Sequence, residues 1–296
     1  GITQVRDDFV VFILTHGRAD NQITVRSLEA SGYTGRWYIV IDDDDEDGGR
    51  YRELYGDRVL TFSKDAVAAE FDQGDNFTDR RSIFYARNAC WALAEQVGAR
   101  YFIELDDDYR IFLYRMLGKR EPDASAPTYH GWKILSLDQV FEAMVRFVSA
   151  TPAVTLAMSQ GGDHIGGEYL GTRLSRKAMN SFVCDVERPF PFLGRINEDV
   201  SSYVSLGNVG RLFFTFFGFQ LNQTETQKAA GGLTDIYLDV GTYVKSFYSV
   251  MYAPSCVRVE HFSSMRRLHH RVNWDAAVPK IIAESWRAPL QPSASD

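Results

Sequence analysis

Cysteine is scarce and poorly placed for cross-linking. The chain holds three, Cys90, Cys184 and Cys256, far apart and without C-x-x-C spacing. An odd, scattered set supports neither a disulfide framework nor a cysteine zinc site, and a reducing, cytoplasmic setting is expected. No run of eighteen apolar residues occurs, so no segment reads as a membrane-spanning helix. The first eight residues lack the basic region and apolar stretch of a secretory leader. Also missing are the H-E-x-x-H zinc helix, the G-x-S-x-G elbow, the P-loop and G-x-G-x-x-G, which removes the commonest hydrolase, nucleotidase and dinucleotide-dependent signatures. The Gly161–Gly167 stretch is too irregular to replace the last of these. Positive charge is not in excess either. The formal net charge is −7, so a nucleic-acid partner would need a local basic face rather than whole-molecule attraction.

What is present is core-forming sequence: 296 residues, 45% hydrophobic and 14% aromatic, enough for one large α/β domain. Phe9 to Leu14 is an unbroken apolar run that reads as a parallel strand buried on both faces, ending in Thr15-His16-Gly17-Arg18. A short helix over 21–30 follows, closed by Gly32. Trp37 to Ile41 is a second strand that runs into Asp42-Asp43-Asp44-Asp45, and Val59 to Phe62 a third. A periodic helix over 81–97, ended by Gly98, leads to a fourth strand, Tyr101 to Leu105, which ends in Asp106-Asp107-Asp108. Strands alternating with helices imply a mostly parallel sheet covered on both faces. Ligands of such sheets bind beyond the carboxyl ends of the strands, where three polar or acidic segments are expected to converge.

After Asp108 the pattern is looser. A loop is expected over 119–130 and a helix over 137–150 with Leu137, Val140, Phe141, Met144, Val145 and Val148 along one face. Strands are expected over 154–158, 211–217 and 257–259, and helices over 198–206 and 234–252. The residues from Pro289 onward form a Pro/Ser/Ala-rich tail expected to be flexible.

Asp106 and Asp108 form a D-x-D at a strand end, able to place hard carboxylate oxygens on Mg²⁺ or Mn²⁺ that grips a diphosphate; an acidic turn is the plain alternative. Asp42, nearest its strand, could accept from a uracil or ribose, or belong to a solvated loop. Arg87 and Asn88 are polar on an apolar helix and need partners, either a nucleotide or, for the arginine, a surface ion pair with Glu95. Glu198 and Asp199 begin a helix; each could cap it, or serve as the general base for an acceptor hydroxyl. His261, His269 and His270 lie within ten residues, in a stretch that also carries Arg258, Arg266, Arg267 and Arg271. With Arg115, Lys119 and Arg120 these arginines could supply a basic face.

Several segments, in order along most of the chain, resemble the TET-associated glycosyltransferase family, GT-A-like phage and bacterial enzymes thought to glycosylate hydroxymethyl-pyrimidines in DNA. They are Val11 to Ala19, Asp75-Asn76-Phe77, Ala86-Arg87-Asn88 through Gly98 to Asp108, Asn197-Glu198-Asp199, the 224–234 loop with Gly231-Gly232, and Arg267 to Trp274. The resemblance implies a GT-A-like, Rossmann-type fold in one domain over 1–288, with a nucleotide-sugar half (1–110) and an acceptor half (111–288). It implies metal-dependent transfer from a nucleotide sugar, expected to be UDP-glucose or a relative, to a DNA base such as 5-hydroxymethylcytosine, in a bacterial or phage-infected cytoplasm. It further implies Mn²⁺ or Mg²⁺ on Asp106 and Asp108, completed by His269 and His270. The donor would lie among His16, Gly17, Arg18, Asp42, Arg87, Asn88, Asp106 and Asp107, with Asp199, seconded by Glu198, as catalytic carboxylates. The acceptor would meet Arg266, Arg267, Arg271 and Lys228. The alternatives are the same donor chemistry on a protein, glycan or small molecule, and an inactive GT-A-like binding module.

Overall fold

The computed structural model describes residues 6–118, 129–164, 177–223, 244–262 and 267–287. The first half supplies β1 (Phe9–Leu14), α1 (Ile23–Ala30), β2 (Arg36–Asp42), α2 (Gly48–Tyr55), β3 (Val59–Phe62), α3 (Lys64–Glu70), α4 (Phe84–Gln96) and β4 (Tyr101–Asp106). Every residue of β1 is buried, the physical meaning of its uninterrupted apolar run: helices cover both sides of it. Gly32 and Gly98, at φ +75° and +68°, end α1 and α4 in a left-handed conformation that glycine adopts without a steric penalty.

The second half supplies β5 (Tyr109–Leu117), β6 (Tyr129–Lys133), α5 (Leu137–Ala150), β7 (Ala153–Ser159), β8 (Ser181–Asp185), α6 (Glu198–Asn208), β9 (Leu212–Gln223), α7 (Val244–Tyr252), β10 (Val257–Phe262), β11 (Arg267–Val272) and the short α8 (Trp274–Ala277). Nine strands form one sheet in the order β3-β2-β1-β4-β8-β7-β9-β5-β6, and β10 and β11 form a separate hairpin. Neighbours β3, β2, β1 and β4 are all parallel, as is the β7–β9 pair. Strand β8 enters antiparallel between β4 and β7, and β5 is antiparallel to β9 and β6. The α/β arrangement expected of the sequence is therefore present in mixed form, its run of adjacent parallel strands made by the first four.

Helices α3, α4 and α6 close one face of the sheet, around Phe12, Phe84, Trp91, Phe102 and Val204. Helices α1 and α5 close the other, around Ile13, Leu28, Leu105, Phe141 and Met144. The six apolar positions foreseen on α5 are all buried. Several elements differ from the expected pattern. Strands β5, β6, β8 and β11, and helices α2 and α3, lie where no element was expected, and β9 runs on to Gln223. Strand β5 was masked by its Arg and Tyr content; it sits toward one side of the sheet, where a strand tolerates polar residues. Of the helix expected over 234–252, residues 234–243 lie outside the described residues.

Candidate active site

Because β1, β2 and β4 are parallel neighbours, the loops leaving their carboxyl ends share one edge of the sheet. Register makes this quantitative. Leu14 stands opposite Asp106 on one side and Val40 on the other, which separates the β4 and β2 ends by two inter-strand spacings, roughly 10 Å. Asp42 lies two residues beyond Val40, on the same face of the sheet. Phe102, Glu104 and Asp106 likewise share the face covered by α4, since Phe102 and Val40 belong to one core. Asp42 and Arg87 are thus on the same face, not opposite ones.

The loop after β1 is held by the other two. His16 Nδ1 lies 2.7 Å from Asp42 Oδ2, and Lys64 Nζ lies 3.3 Å from Asp42 Oδ1. The hydrogen bond to Asp42 leads in raising the His16 pKa above its ordinary value. Burial works against ionisation of Asp42, yet His16 and Lys64 outweigh it and hold the carboxyl below its ordinary range. Gly17 N–H donates to Asp45 Oδ2 at 2.9 Å. The φ of Gly17 is +64° and no atom would meet a Cβ there within 4 Å, so backbone conformation rather than crowding requires glycine. Arg18 Nη1 donates to Asp107 Oδ1 at 3.0 Å, and Thr15 Oγ1 to Asp107 Oδ2 at 2.6 Å. His16, Gly17, Arg18, Asp42, Asp106 and Asp107 are brought to one place.

Asp107 and Asp108 make the turn between β4 and β5. Helix α1 fastens its backbone: Thr24 N–H donates to Asp107 O at 3.0 Å, and Thr24 Oγ1 donates to Asp106 O at 2.5 Å and accepts from Tyr109 N–H at 3.0 Å. Burial pushes the Asp106 carboxyl up to about 7, against the pull of Arg87 and with Asp108 adding to it. Burial and the neighbouring Asp107 push Asp108 up to about 6. Burial also raises Asp107, countered by Arg18 and Thr15. Carboxylates that burial makes costly to ionise, with hard oxygen donors at the edge of a crevice, fit a divalent cation, which would reverse that cost. Asp106 and Asp108 are the residues that would hold it. The histidines expected to complete this set are placed otherwise. His269 and His270 lie on β11, opposite Glu260 and Val259 of β10. Among the described residues, the acidic or histidine groups close enough to share one ion are Asp42, Asp43 and Asp44, without Asp106, Asp108, His269 or His270. That trio is a poor cation site, since Asp42 already carries Lys64 and His16.

Arg87 and Asn88 do different work from that expected. Arg87 is 1% exposed and spends its guanidinium inside the protein, on Glu198 Oε1 at 2.9 Å, Asp106 Oδ1 at 3.2 Å and Glu104 Oε2 at 3.4 Å. It does not pair with Glu95 at the surface. The Asn88 amide donates to Phe84 O and Phe192 O and accepts from Phe192 N–H. It clamps the chain before α6 and is 2% exposed, turned into the protein rather than toward a donor. Glu198, at the start of α6, is held by Arg87. Asp199 accepts from Val200 N–H at 2.7 Å. Burial, with Glu198 beside it, pushes its carboxyl up to about 6.

The basic face is only partly within view. Lys228, Arg266, Lys119 and Arg120 lie outside the described residues, and Arg267 starts β11. Arg271 and Arg258 are exposed, but both pair with Glu260, at 3.0 Å and 2.5 Å. Arg115 folds over Gly131 on β6. Sequence reasoning missed Thr15, Tyr51, Thr24, Lys64 and Glu104. One signal was available: a glutamate inside the apolar strand Tyr101 to Leu105 and an arginine inside an apolar helix are buried charges that need each other.

A family model described as TET-Associated Glycosyltransferase matches residues 9–232, a span holding the β1, β2 and β4 ends. No curated protein matches the chain significantly. Among solved structures, glucosyl-3-phosphoglycerate synthase from Mycobacterium tuberculosis with Mg²⁺ and uridine diphosphate is similar at 11% identity and a TM-score of 0.45, covering 89% of this chain and 87% of that one. The same synthase with Mn²⁺, UDP-glucose and glycerol 3-phosphate is similar at 10% identity and a TM-score of 0.44, covering 89% and 86%.

Proposed function

The chain belongs to the TET-associated glycosyltransferase family, and on that premise we propose that it moves a sugar from a UDP donor to the hydroxymethyl group of a modified pyrimidine in DNA. Membership makes it a glycosyltransferase; the nucleotide-sugar donor, its uridine base, the metal and the DNA acceptor are the proposal. The observation that carries it is the meeting of the β1, β2 and β4 loops at one sheet edge, with the acidic turn Asp106 to Asp108 at its centre and Arg18 and His16 beside it.

In this reading Asp106 and Asp108 hold Mn²⁺ or Mg²⁺, which when bound neutralises charge on the departing diphosphate. Asp42 engages His16 Nδ1, so Nε2 is the nitrogen that a donor oxygen would meet. Arg18, oriented by Asp107, is the guanidinium that would meet the same diphosphate. Asp199 accepts the proton of the acceptor hydroxyl. A carboxyl lifted to about 6 is still ionised at neutral pH and is a stronger base than an ordinary aspartate. A duplex base would have to leave the stack to reach a sugar carbon at this edge.

The test is a screen of UDP-sugars with Mn²⁺ against DNA containing 5-hydroxymethylcytosine and the same DNA unmodified. The expected product is a glycosylated nucleoside in the modified DNA alone. Donor turnover that ignores DNA would move the acceptor to another class of molecule, and no binding of UDP with Mn²⁺ would remove the UDP donor and the metal from the reading.

A further inference from the structure

One buried cation joins the two halves of this site. Arg87 of α4 reaches Asp106 and Glu104 of β4 and Glu198 of α6, three carboxylates on two elements from opposite sides of the sequence. Its guanidinium also stands 4.9 Å from the centre of the Phe182 ring and 5.9 Å from that of Phe192. The side chain is buried against these rings, 1% exposed. A planar fork with three nitrogens can satisfy three acceptors at fixed angles, whereas an ammonium on a flexible stem cannot reproduce that geometry.

We propose that Arg87 is a positioning residue that sets the distance between the cation-holding strand end and the start of α6, and that Glu198 is its strut, leaving Asp199 as the group that meets the acceptor. The inference rests on the reading of Asp106 as a cation ligand and Asp199 as the base. Asp106 is tied to Arg87 through Oδ1, so the orientation of its second oxygen toward a cation follows from the arginine. Glu198 is tied through Oε1, so the pitch of the first turn of α6, and with it the Asp199 carboxyl, follows from the same arginine. Misplacement of a reacting group by about 1 Å can cost on the order of a hundredfold in rate, so a tie of this kind acts on turnover more than on donor binding.

The experiment compares Arg87→Lys, Glu198→Gln and Glu198→Ala with wild type, and uses Phe190→Leu as a control for lost stability, since Phe190 is a buried core ring. Each is measured for melting temperature, for Mn²⁺ affinity in the absence of donor, and for kcat and KM. Arg87→Lys is expected to weaken Mn²⁺ binding several-fold and lower kcat at least about tenfold, with donor KM within about threefold. Glu198→Gln keeps the oxygen that Arg87 Nε–H meets and is expected to stay within about threefold of wild-type kcat, while Glu198→Ala falls at least about tenfold. Phe190→Leu is expected to melt lower with wild-type kcat. If Arg87→Lys behaves like Phe190→Leu, with unchanged Mn²⁺ affinity and kcat, the positioning role is wrong. Equal losses in Glu198→Gln and Glu198→Ala would make the Glu198 charge itself the working group and remove the strut. If Arg87→Lys does not fold, the Glu198 pair still decides. A wild-type protein without Mn²⁺ binding or donor turnover would instead overturn the functional reading, a result separable from all of these.

Discussion

At the scale of single residues, the His16–Asp42–Lys64 cluster has a sign that can be worked out. His16 is raised, so its share of stability is complete below the ordinary histidine value and is lost as pH climbs through the raised one. Asp42 is depressed, so its share is complete above the ordinary aspartate range and is lost as pH falls through the depressed value. The two shares overlap between those limits. Asp42→Asn is expected to return the His16 titration toward its ordinary value, followed by NMR of the imidazole protons; an unmoved titration would mean Asp42 does not set it. Asp199 carries the opposite kind of shift. Burial and the neighbouring Glu198 push its carboxyl up to about 6, so ionised Asp199 costs stability as pH rises from the ordinary aspartate range to that value, and the site accepts this at the place where a base is wanted. The acid limb of kcat is expected near about 6. Asp199→Asn should cut turnover by roughly two or more orders of magnitude, the scale of a lost general base, with donor affinity kept. Near-wild-type turnover in that variant would leave Asp199 a helix-start residue only.

At the scale of elements, the acidic turn is shaped by a helix far from it in sequence. Thr24, fully buried on α1, both donates to the carbonyl of Asp106 and accepts from Tyr109 N–H, while Ser27 Oγ donates to the Tyr109 and Arg110 carbonyls. Thr24→Val keeps the volume and leaves two buried backbone groups unpaired. The expected cost is about 1–3 kcal/mol of stability, measured by urea unfolding, together with weaker Mn²⁺ binding because the turn that aims Asp106 and Asp108 is loosened. Unchanged unfolding midpoint and unchanged Mn²⁺ binding would mean that the strand ends alone shape the turn. Asn88 plays a comparable part between α4 and the segment before α6: its amide bonds to the backbone of Phe84 and Phe192.

At the scale of the whole molecule, charge is the open tension in a DNA-directed reading. The net charge is −7, and the exposed arginines of the β10–β11 hairpin, Arg258 and Arg271, share Glu260. Register places these two arginines directly opposite each other, where like charges repel, and Glu260 relieves that repulsion. Glu260→Gln is expected to release both for phosphate contact. Binding to DNA at low salt should tighten, and the slope of log K against log salt should steepen by up to about 2, near 0.9 for each phosphate newly neutralised. An unchanged slope would place the acceptor elsewhere than on this hairpin.

The local sequence was sufficient for the strands and for helices α1 and α4 of the first half, though not for α2 and α3. The buried run Phe9 to Leu14, the helix stops at Gly32 and Gly98, and the strand that ends in Asp106 are set by side-chain period and by backbone preference, which need only near neighbours. Parallel strands then forced the His16, Asp42 and Asp106 loops to one edge, so their meeting was legible before any coordinates. Partnership was not legible. Whether Arg87 met a donor, a surface glutamate or the carboxylates of Glu104, Asp106 and Glu198 depended on β4 and α6 closing around it, and a buried guanidinium takes whatever anions the packing brings within reach. The same holds for Asn88, absorbed by a backbone segment about a hundred residues later in sequence, and for His269 and His270, which a hairpin carries on a strand of its own. Burial decided the acidities too: a carboxylate in Asp106-Asp107-Asp108 or Glu198-Asp199 reads as an ordinary acid in the sequence, and only the tertiary structure removes the water that would have kept it one.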